Sequence, residues 1–368
     1  MEAVSGEVAP VNDREDRSVG APESDPAHWL LDWLTAGQLP RFNRKGTLRV
    51  VQRAGLGAWL AGVEPGLLRA ARDRALSQWE AMCRNGIQAV VLGHKGYPFG
   101  LSQVPDAPWI LFVKAPISLL HGPRPIAVVG TRRVSVSGSL AVEGLMEGMR
   151  GLDWTLISGM ADGVDALAHR AALDRGVPTI ACLAHGLHAV HPRTNAALAE
   201  RILDAGGCWV SEYRLGMPPS KYTFPVRNRI IAGLSEAVVV VESNKPGGSL
   251  ITARLGQDYD RRVFALSPSW GSDGMKGNAH LIQGHVAEML HMPTDLAAAM
   301  GWVALERPDQ GKDDPILAVL HPYEPRGFDA VVASLEWDRN AVRTGLLEAE
   351  LKGWVRAWSG DRFTRTMR

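Results

Sequence analysis

From residue 125 onward, short runs of apolar residues alternate with segments of helical periodicity. The runs are Ile126–Val129, Trp154–Ile157, Thr179–Leu183, Cys208–Val210, Ala237–Val241 and Arg262–Leu266. Most give way at once to glycine or small polar residues: Gly130, Ser158-Gly159, Ser211-Glu212, Glu242. A strand apolar at every position is buried on both faces, and helical crossovers make its neighbours parallel. The pattern therefore predicts an α/β fold with a mostly parallel sheet whose ligands sit at the carboxyl ends of the strands. Upstream, Gln88–Leu92 and Trp109–Val113 read as two further strands around a stretch holding Pro98, Pro105 and Pro108. Residues 28–85 carry helical periodicity, with Gly55, Gly57, Gly62 and Gly66 in the turns. Beyond Asp309, helical segments at 316–321, 328–335 and 339–352 precede an alternating run, Trp354–Phe363, broken at Ser359-Gly360-Asp361. Three helices and a hairpin outline a winged helix at 311–368.

Composition narrows the class. The chain has 368 residues, 46% hydrophobic and 21% charged, with a net charge of +1, so affinity for a polyanion must come from local clustering. Residues 1–27 are expected to form a disordered tail, acidic through Glu2, Glu7, Asp13, Glu15, Asp16, Glu23 and Asp25. Their removal leaves the remainder net basic. Three scattered cysteines without CxxC spacing argue against a disulfide scaffold. No apolar run approaches the ~20 residues of a membrane span, and the acidic start is no signal peptide. A cytoplasmic protein without membrane contact is expected.

The densest chemistry lies in Lys221-Tyr-Thr-Phe224-Pro225-Val-Arg227-Asn228-Arg229. Pro225 is expected at the first helical position, where its missing N–H costs nothing. Cations there oppose the helix dipole, and a polyanion would turn that opposition into attraction. Phe224 can then stack on a base; the plain alternative is an amphipathic helix with a solvated basic edge. Gly130-Thr131-Arg132-Arg133, with Ser135, Ser137 and Gly138, reads as a phosphate-cradling turn after the first core strand. Ser158-Gly159 repeats it, Gly247-Gly248-Ser249 forms a third nest, and Gly277-Asn278 opens a further helix. The first loop lacks the GxGxxG spacing, and no acid ends the second strand, which disfavours a nicotinamide cofactor. Asp165 and His169 share one helical face, as structural pairs usually do. His185, His188 and His191 invite a metal, but no HExxH, cysteine pair or carboxylate accompanies them.

Together these motifs resemble the DNA-processing protein A (DprA/Smf) family. The matching text is Gly130-Thr-Arg132, Ser158-Gly-Met-Ala-Asp-Gly-Val-Asp165 with His169, Pro192 with Asn195, and Ser211-Glu212. It continues through Phe224-Pro-Val-Arg-Asn-Arg-Ile-Ile-Ala-Gly-Leu-Ser235, Gly248-Ser-Leu-Ile-Thr-Ala253 and Gly277-Asn278. The Phe-Pro-x-Arg-Asn-Arg-Ile-Ile segment is specific, whereas each glycine turn alone is weak. The resemblance implies an extended Rossmann-like doubly wound domain at 86–300, with a small SAM-like helical domain at 28–85 and the winged-helix-like domain at 311–368. It implies a homodimeric single-stranded DNA-binding protein that protects incoming strands in natural transformation and loads the RecA recombinase, with no catalytic residues, metal or cofactor. By motif position the DNA contacts are Arg132, Lys221 and Phe224. Arg227, Asn228, Arg229, Gly130, Ser158, Gly159, Gly248, Ser249 and Asn278 complete the expected site.

Some positions depart from the family's usual text: Thr131, Ser137, the His-containing loop 185–191, and Ser269 after Pro268. An enzyme of the phosphoribohydrolase type is the alternative. Pro246-Gly247-Gly248-Ser249-Leu250-Ile251-Thr252 lacks that group's third glycine and glutamate. A nucleotide-sensing module without turnover is a third reading.

Overall fold

The structure, a computed structural model, describes residues 26–39, 50–51, 53–268, 273–302, 314–321, 324–351 and 354–366. The expected tail 1–27 lies outside them, apart from the backbone of Pro26 and Ala27. Ser269 and the stretch leading into the C-terminal module also lie outside. The chain divides into two compact units, one ending at Leu76 and the other beginning at Ser77. That division falls inside the helix Pro65–Arg84, whereas the sequence pattern places a boundary where the helical periodicity stops.

In the first unit, helices Pro26–Gly37 and Leu56–Ala61 bury Leu30, Trp33, Leu34 and Leu60. The second unit holds nine strands in one sheet. They are β1 (Ile87–Val91), β2 (Ile110–Lys114), β3 (Pro125–Val129), β4 (Thr155–Ser158) and β5 (Thr179–Cys182). β6 (Cys208–Ser211), β7 (Ala237–Val240), β8 (Arg262–Leu266) and β9 (Glu288–Leu290) follow. Their order is β1-β2-β6-β5-β4-β3-β7-β8-β9, a doubly wound arrangement. The strands from β3 to β9 run parallel, while β2 is antiparallel to both β1 and β6. The chain builds outward from β3 to β6, then returns to place β7 on the other side of β3. β3 and β7 therefore flank the switch point, the usual ligand position in such sheets.

The continuous apolar runs are what a two-faced sheet needs. Within β3, Ala127 and Val129 enter one core, shared with Ile230, Ile231, Leu250 and Ala253 of helices Thr223–Leu234 and Gly248–Asp258. Ile126 and Val128 enter the other, shared with Val142, Leu145, Val164 and Ala168 of helices Val136–Gly148 and Val164–Leu173. This is the two-residue alternation of an extended strand. Each of the valines, leucines and isoleucines contributes about 1.5–3 kcal/mol by leaving water.

The C-terminal module has helices Pro315–Val319, Phe328–Leu335 and Arg339–Leu351. A small sheet of β10 (Arg326–Gly327), β11 (Val355–Trp358) and β12 (Arg362–Arg365) accompanies them in the order β10-β12-β11. Ile316, Phe328, Val331, Val342, Leu346 and Phe363 form its core, as in a winged helix. The hairpin turns at Gly360, φ 81°, and Asp361, φ 54°, where glycine is at ease. β9 and β10 are absent from the sequence reading, because an edge strand of two or three residues carries no periodicity. Among the described residues no helix is long and apolar enough to cross a membrane.

Candidate nucleic-acid interface

The loops after β3, β4, β5 and β7 and the start of helix Thr223–Leu234 gather at the carboxyl rim of the sheet. Ser220 and Thr223 lock that helix start reciprocally: Ser220 N donates to Thr223 Oγ1 at 3.0 Å, and Thr223 Oγ1 donates to Ser220 O at 2.9 Å. The helix begins at Thr223, so Pro225 is its third residue rather than the expected first. The proline is tolerated all the same, because no first-turn N–H has an intrahelical acceptor.

Arg132, on the loop after β3, is exposed, and its guanidinium carbon lies 5.6 Å from the centre of the Phe224 ring. Such stacking is worth about 0.5–1 kcal/mol at an exposed site. On another side His191 approaches the same ring, centroid to centroid 6.3 Å, and buried His185 packs edge-on against His191 at 6.4 Å. His188 instead accepts from Gly216 N at 3.0 Å. The three histidines are thus an aromatic buttress and a loop tie, and among the described residues no cluster of metal-ligating side chains occurs. Lys221 is exposed with its Nζ 5.1 Å from the ring of Tyr222, itself 71% exposed.

Arg227, expected among the DNA-binding residues, has the opposite fate. It is 4% exposed and turns inward. Its Nη1 donates to Gly159 O at 2.6 Å and to Cys182 O, its Nε to Asn228 Oδ1 at 3.2 Å. Arg227 therefore pins the helix start to the ends of β4 and β5. A side chain on Gly159 would collide with both its terminal nitrogens and with Asp165 Oδ2, each at 2.7 Å, so glycine here makes room for a guanidinium. Burial pushes the Asp165 carboxyl up to about 6 against the pull of Arg227. Burial, helped by Arg227, pushes His169 down to about 3. His169 Nδ1 meets Thr179 Oγ1 at 2.7 Å, a structural bond at the far end of the sheet.

Other expected contacts are also engaged elsewhere. Arg229 pairs with Glu212 and donates to Asp106 O at 2.5 Å, leaving it 12% exposed. Burial raises the Glu212 carboxyl and Arg229 opposes that rise. Buried Ser158 donates to Val128 O at 2.7 Å, Ser249 to Ser243 Oγ at 2.8 Å, and Asn228 Nδ2 to Gly248 O at 3.3 Å. Asn278 is fully buried, its Nδ2 bonded to the carbonyls of Val240, Val241 and Leu266, each at 3.1 Å. These side chains shape the rim and do not face solvent. Gly130 is held against Val164, where a Cβ would come within 2.5 Å. Gly248 alone among these glycines is exposed, with open space where its side chain would be.

Three backbone donors of the first loop are also spent internally. Thr131 N donates to Glu242 O at 2.7 Å, Arg133 N to Thr131 Oγ1 at 3.2 Å, and Ser135 N to Glu242 Oε2 at 2.9 Å. The expected amide cradle there is thus partly filled by Glu242 and Thr131. Glu242, at the end of the fifth core run, is a rim side chain for which the sequence offers no role. Its only signal was a carboxylate at a strand terminus beside a glycine turn. Arg133, Arg193 and Lys245 are further rim cations, exposed and without an ion pair among the described residues.

The sequence of residues 88–301 matches the family model of DNA recombination-mediator protein A, and residues 303–361 match the DprA winged helix domain. The chain belongs to the DNA recombination-mediator protein A family. It is 38% identical to Protein Smf of Escherichia coli over 276 residues, 72% of this chain and 74% of that protein. It is 42% identical to the DNA processing protein DprA of Streptococcus pneumoniae over 188 residues, 51% of this chain and 65% of that protein. The crystal structure of the S. pneumoniae DprA superposes with a TM-score of 0.60 at 31% identity, covering 74% of this chain and 96% of that one. A Helicobacter pylori DNA processing protein A, solved to explain its single-stranded DNA binding mode, gives 0.52 at 26% identity over 58% and 95%. Membership accounts for the sheet and the winged helix together, since both domains of the family are matched in order.

Proposed function

We propose that the carboxyl rim of the parallel strands binds single-stranded DNA without reading its sequence. The observation that carries this reading is the stack of Arg132 on Phe224: a loop and a helix start far apart in sequence place an exposed cation without an ion pair beside a half-buried aromatic ring. A cation for the phosphate and a π-face for the base are the two components such binding needs. Lys221, Arg133, Arg193 and Lys245 extend the positive surface, and the exposed amide edge at Gly248 adds a neutral donor site. The H. pylori relative, described by its single-stranded DNA binding mode, supports the same ligand. Beyond binding, the family reading makes the protein a cytoplasmic homodimer that protects incoming strands in natural transformation and passes them to RecA. That role needs no turnover.

Fluorescence anisotropy with single- and double-stranded 30-mers across a salt series tests the reading. The single strand is expected to bind more tightly, with log affinity falling by about 0.7 per neutralised phosphate per log unit of salt. Equal affinity for both forms, or a flat salt response, removes it.

A further inference from the structure

A doubly wound sheet ordinarily seats the phosphate of a small nucleotide at the helix start beside its switch point. Here the protein's own carboxylate occupies that place. Glu242 is 5% exposed, and its Oε2 accepts from both Ser135 N and Ser135 Oγ at 2.9 Å. Ser135 is the N-cap of helix Val136–Gly148, and its Oγ in turn accepts from Gly138 N at 3.0 Å. Three donors of the helix start, Ser135 N, Ser135 Oγ and Gly138 N, are already answered, and the carboxylate faces the positive end of the helix dipole. Space is filled as well as charge. A Cβ on Gly138 would lie 2.2 Å from Oε2, and one on Gly274 would lie 2.6 Å from Oε1, so the carboxyl group is wedged between the loops that follow β3 and β8. The Glu242 backbone carbonyl completes the clamp by accepting from Thr131 N at 2.7 Å.

We infer that Glu242 is a built-in anion that excludes mononucleotides from the switch point and fixes the loop 131–138 with Arg132 over Phe224. This rests on the nucleic-acid reading of the rim and sharpens it from nucleotide chemistry in general to a polymer. A single phosphate has to enter the seat to be held, and there it meets both a filled volume and a like charge. A strand lying across the rim needs no entry, because its phosphates meet Arg132 and Lys221 outside. The neighbouring helix start shows the alternative state: helix Gly248–Asp258 has no side-chain cap, and the space beside Gly248 is open.

The test compares the parent chain with Glu242→Ala, using inorganic phosphate, thymidine 5′-monophosphate and a single-stranded 30-mer as probes. Emptying the seat is expected to raise affinity for inorganic phosphate and for the monophosphate by at least about tenfold, seen calorimetrically and as a ligand-dependent rise in melting temperature. The parent shows neither. Glu242→Gln, which keeps the volume and one acceptor oxygen for Ser135, stays closed to phosphate. A folded Ala variant that takes up phosphate no better than the parent overturns the inference, as does protection of residues 131–138 from hydrogen exchange when the parent meets the monophosphate. Should the Ala variant not fold alone, recovery of folded protein on refolding with phosphate supports the inference and its absence counts against it. The parent's own titration with the 30-mer keeps the two readings apart: failure there removes the polymer-binding reading whatever the Ala variant does.

Discussion

The two ends of the large sheet are built from the same residue types and treat charge in opposite ways. At the amino ends of the strands and the adjoining helix termini, four arginines are matched with acids: Arg175 with Glu143 at 2.5 Å, Arg262 with Glu288 at 2.6 Å, Arg150 with Glu147 at 3.1 Å and Arg201 with Asp174 at 3.2 Å. Arg124 and Arg170 there form no ion pair among the described residues. At the carboxyl ends, Arg132, Arg133, Arg193, Lys221 and Lys245 are exposed and form no ion pair among the described residues. Of the acids there, Glu242 is buried and Glu212 is taken by Arg229, while Asp162 stays exposed and accepts from Thr194 at 3.0 Å. Helix amino termini also point to this end, adding positive dipole ends to the positive side chains. A net charge of +1 thus conceals a polarised molecule.

The comparison breaks most visibly at Arg227, the rim cation that is buried. Arg227→Ala strands the buried carbonyls of Gly159 and Cys182, so equilibrium denaturation should show a loss of about 1–3 kcal/mol for each. A stable variant that lost only DNA affinity would make Arg227 a ligand contact after all. At the opposite, paired end, His169 probes burial by pH. Its folded pKa lies below the unfolded value, so its contribution is complete above about pH 6.5 and is lost as pH falls toward about 3. His169→Gln should therefore flatten the acid side of the stability curve by up to about 1.4 kcal/mol per pH unit within that window. Parallel curves for the two proteins would show that His169 is not held neutral by the fold.

Smaller effects sharpen the contrast between the ends. Phe224→Ala should weaken 30-mer binding by about 1–3 kcal/mol while thermal melting hardly changes. Unchanged anisotropy would remove the ring as a base platform. Smallest are the single charges. Arg132→Ala and Lys221→Ala should each lower the salt slope by about 0.7, whereas Arg262→Ala at the paired end should leave it alone. Equal slopes for all three variants would erase the distinction between the two rims.

Most of the core strands were legible because a strand buried on both faces must be apolar throughout, and the residues that end it must turn. β1 and β2 were equally legible as strands, but their antiparallel placement was not, since direction depends on which neighbour a strand finds. β9, with Glu288 and Met289 exposed, gave no apolar run to read. In the site, Arg132 and Phe224 were legible as chemistry, while their contact was not. Arg227 and Arg229 look alike in sequence as members of one basic run. Two residues are about half a helical turn, so the pair points to opposite sides: 227 reaches the carbonyls under the rim and 229 reaches Glu212.

Local pattern by itself determined the two-faced sheet, the winged-helix outline and the kinship of the Phe224–Ser235 segment. Those follow from periodicity and turn chemistry, which act over a few residues. Which cations stay free, which carboxylate fills the seat beside the switch point, and which glycines yield space to a guanidinium were decided only in three dimensions. Each of those depends on the desolvation and pairing of groups brought together from distant parts of the chain, and no local pattern encodes a partner's position.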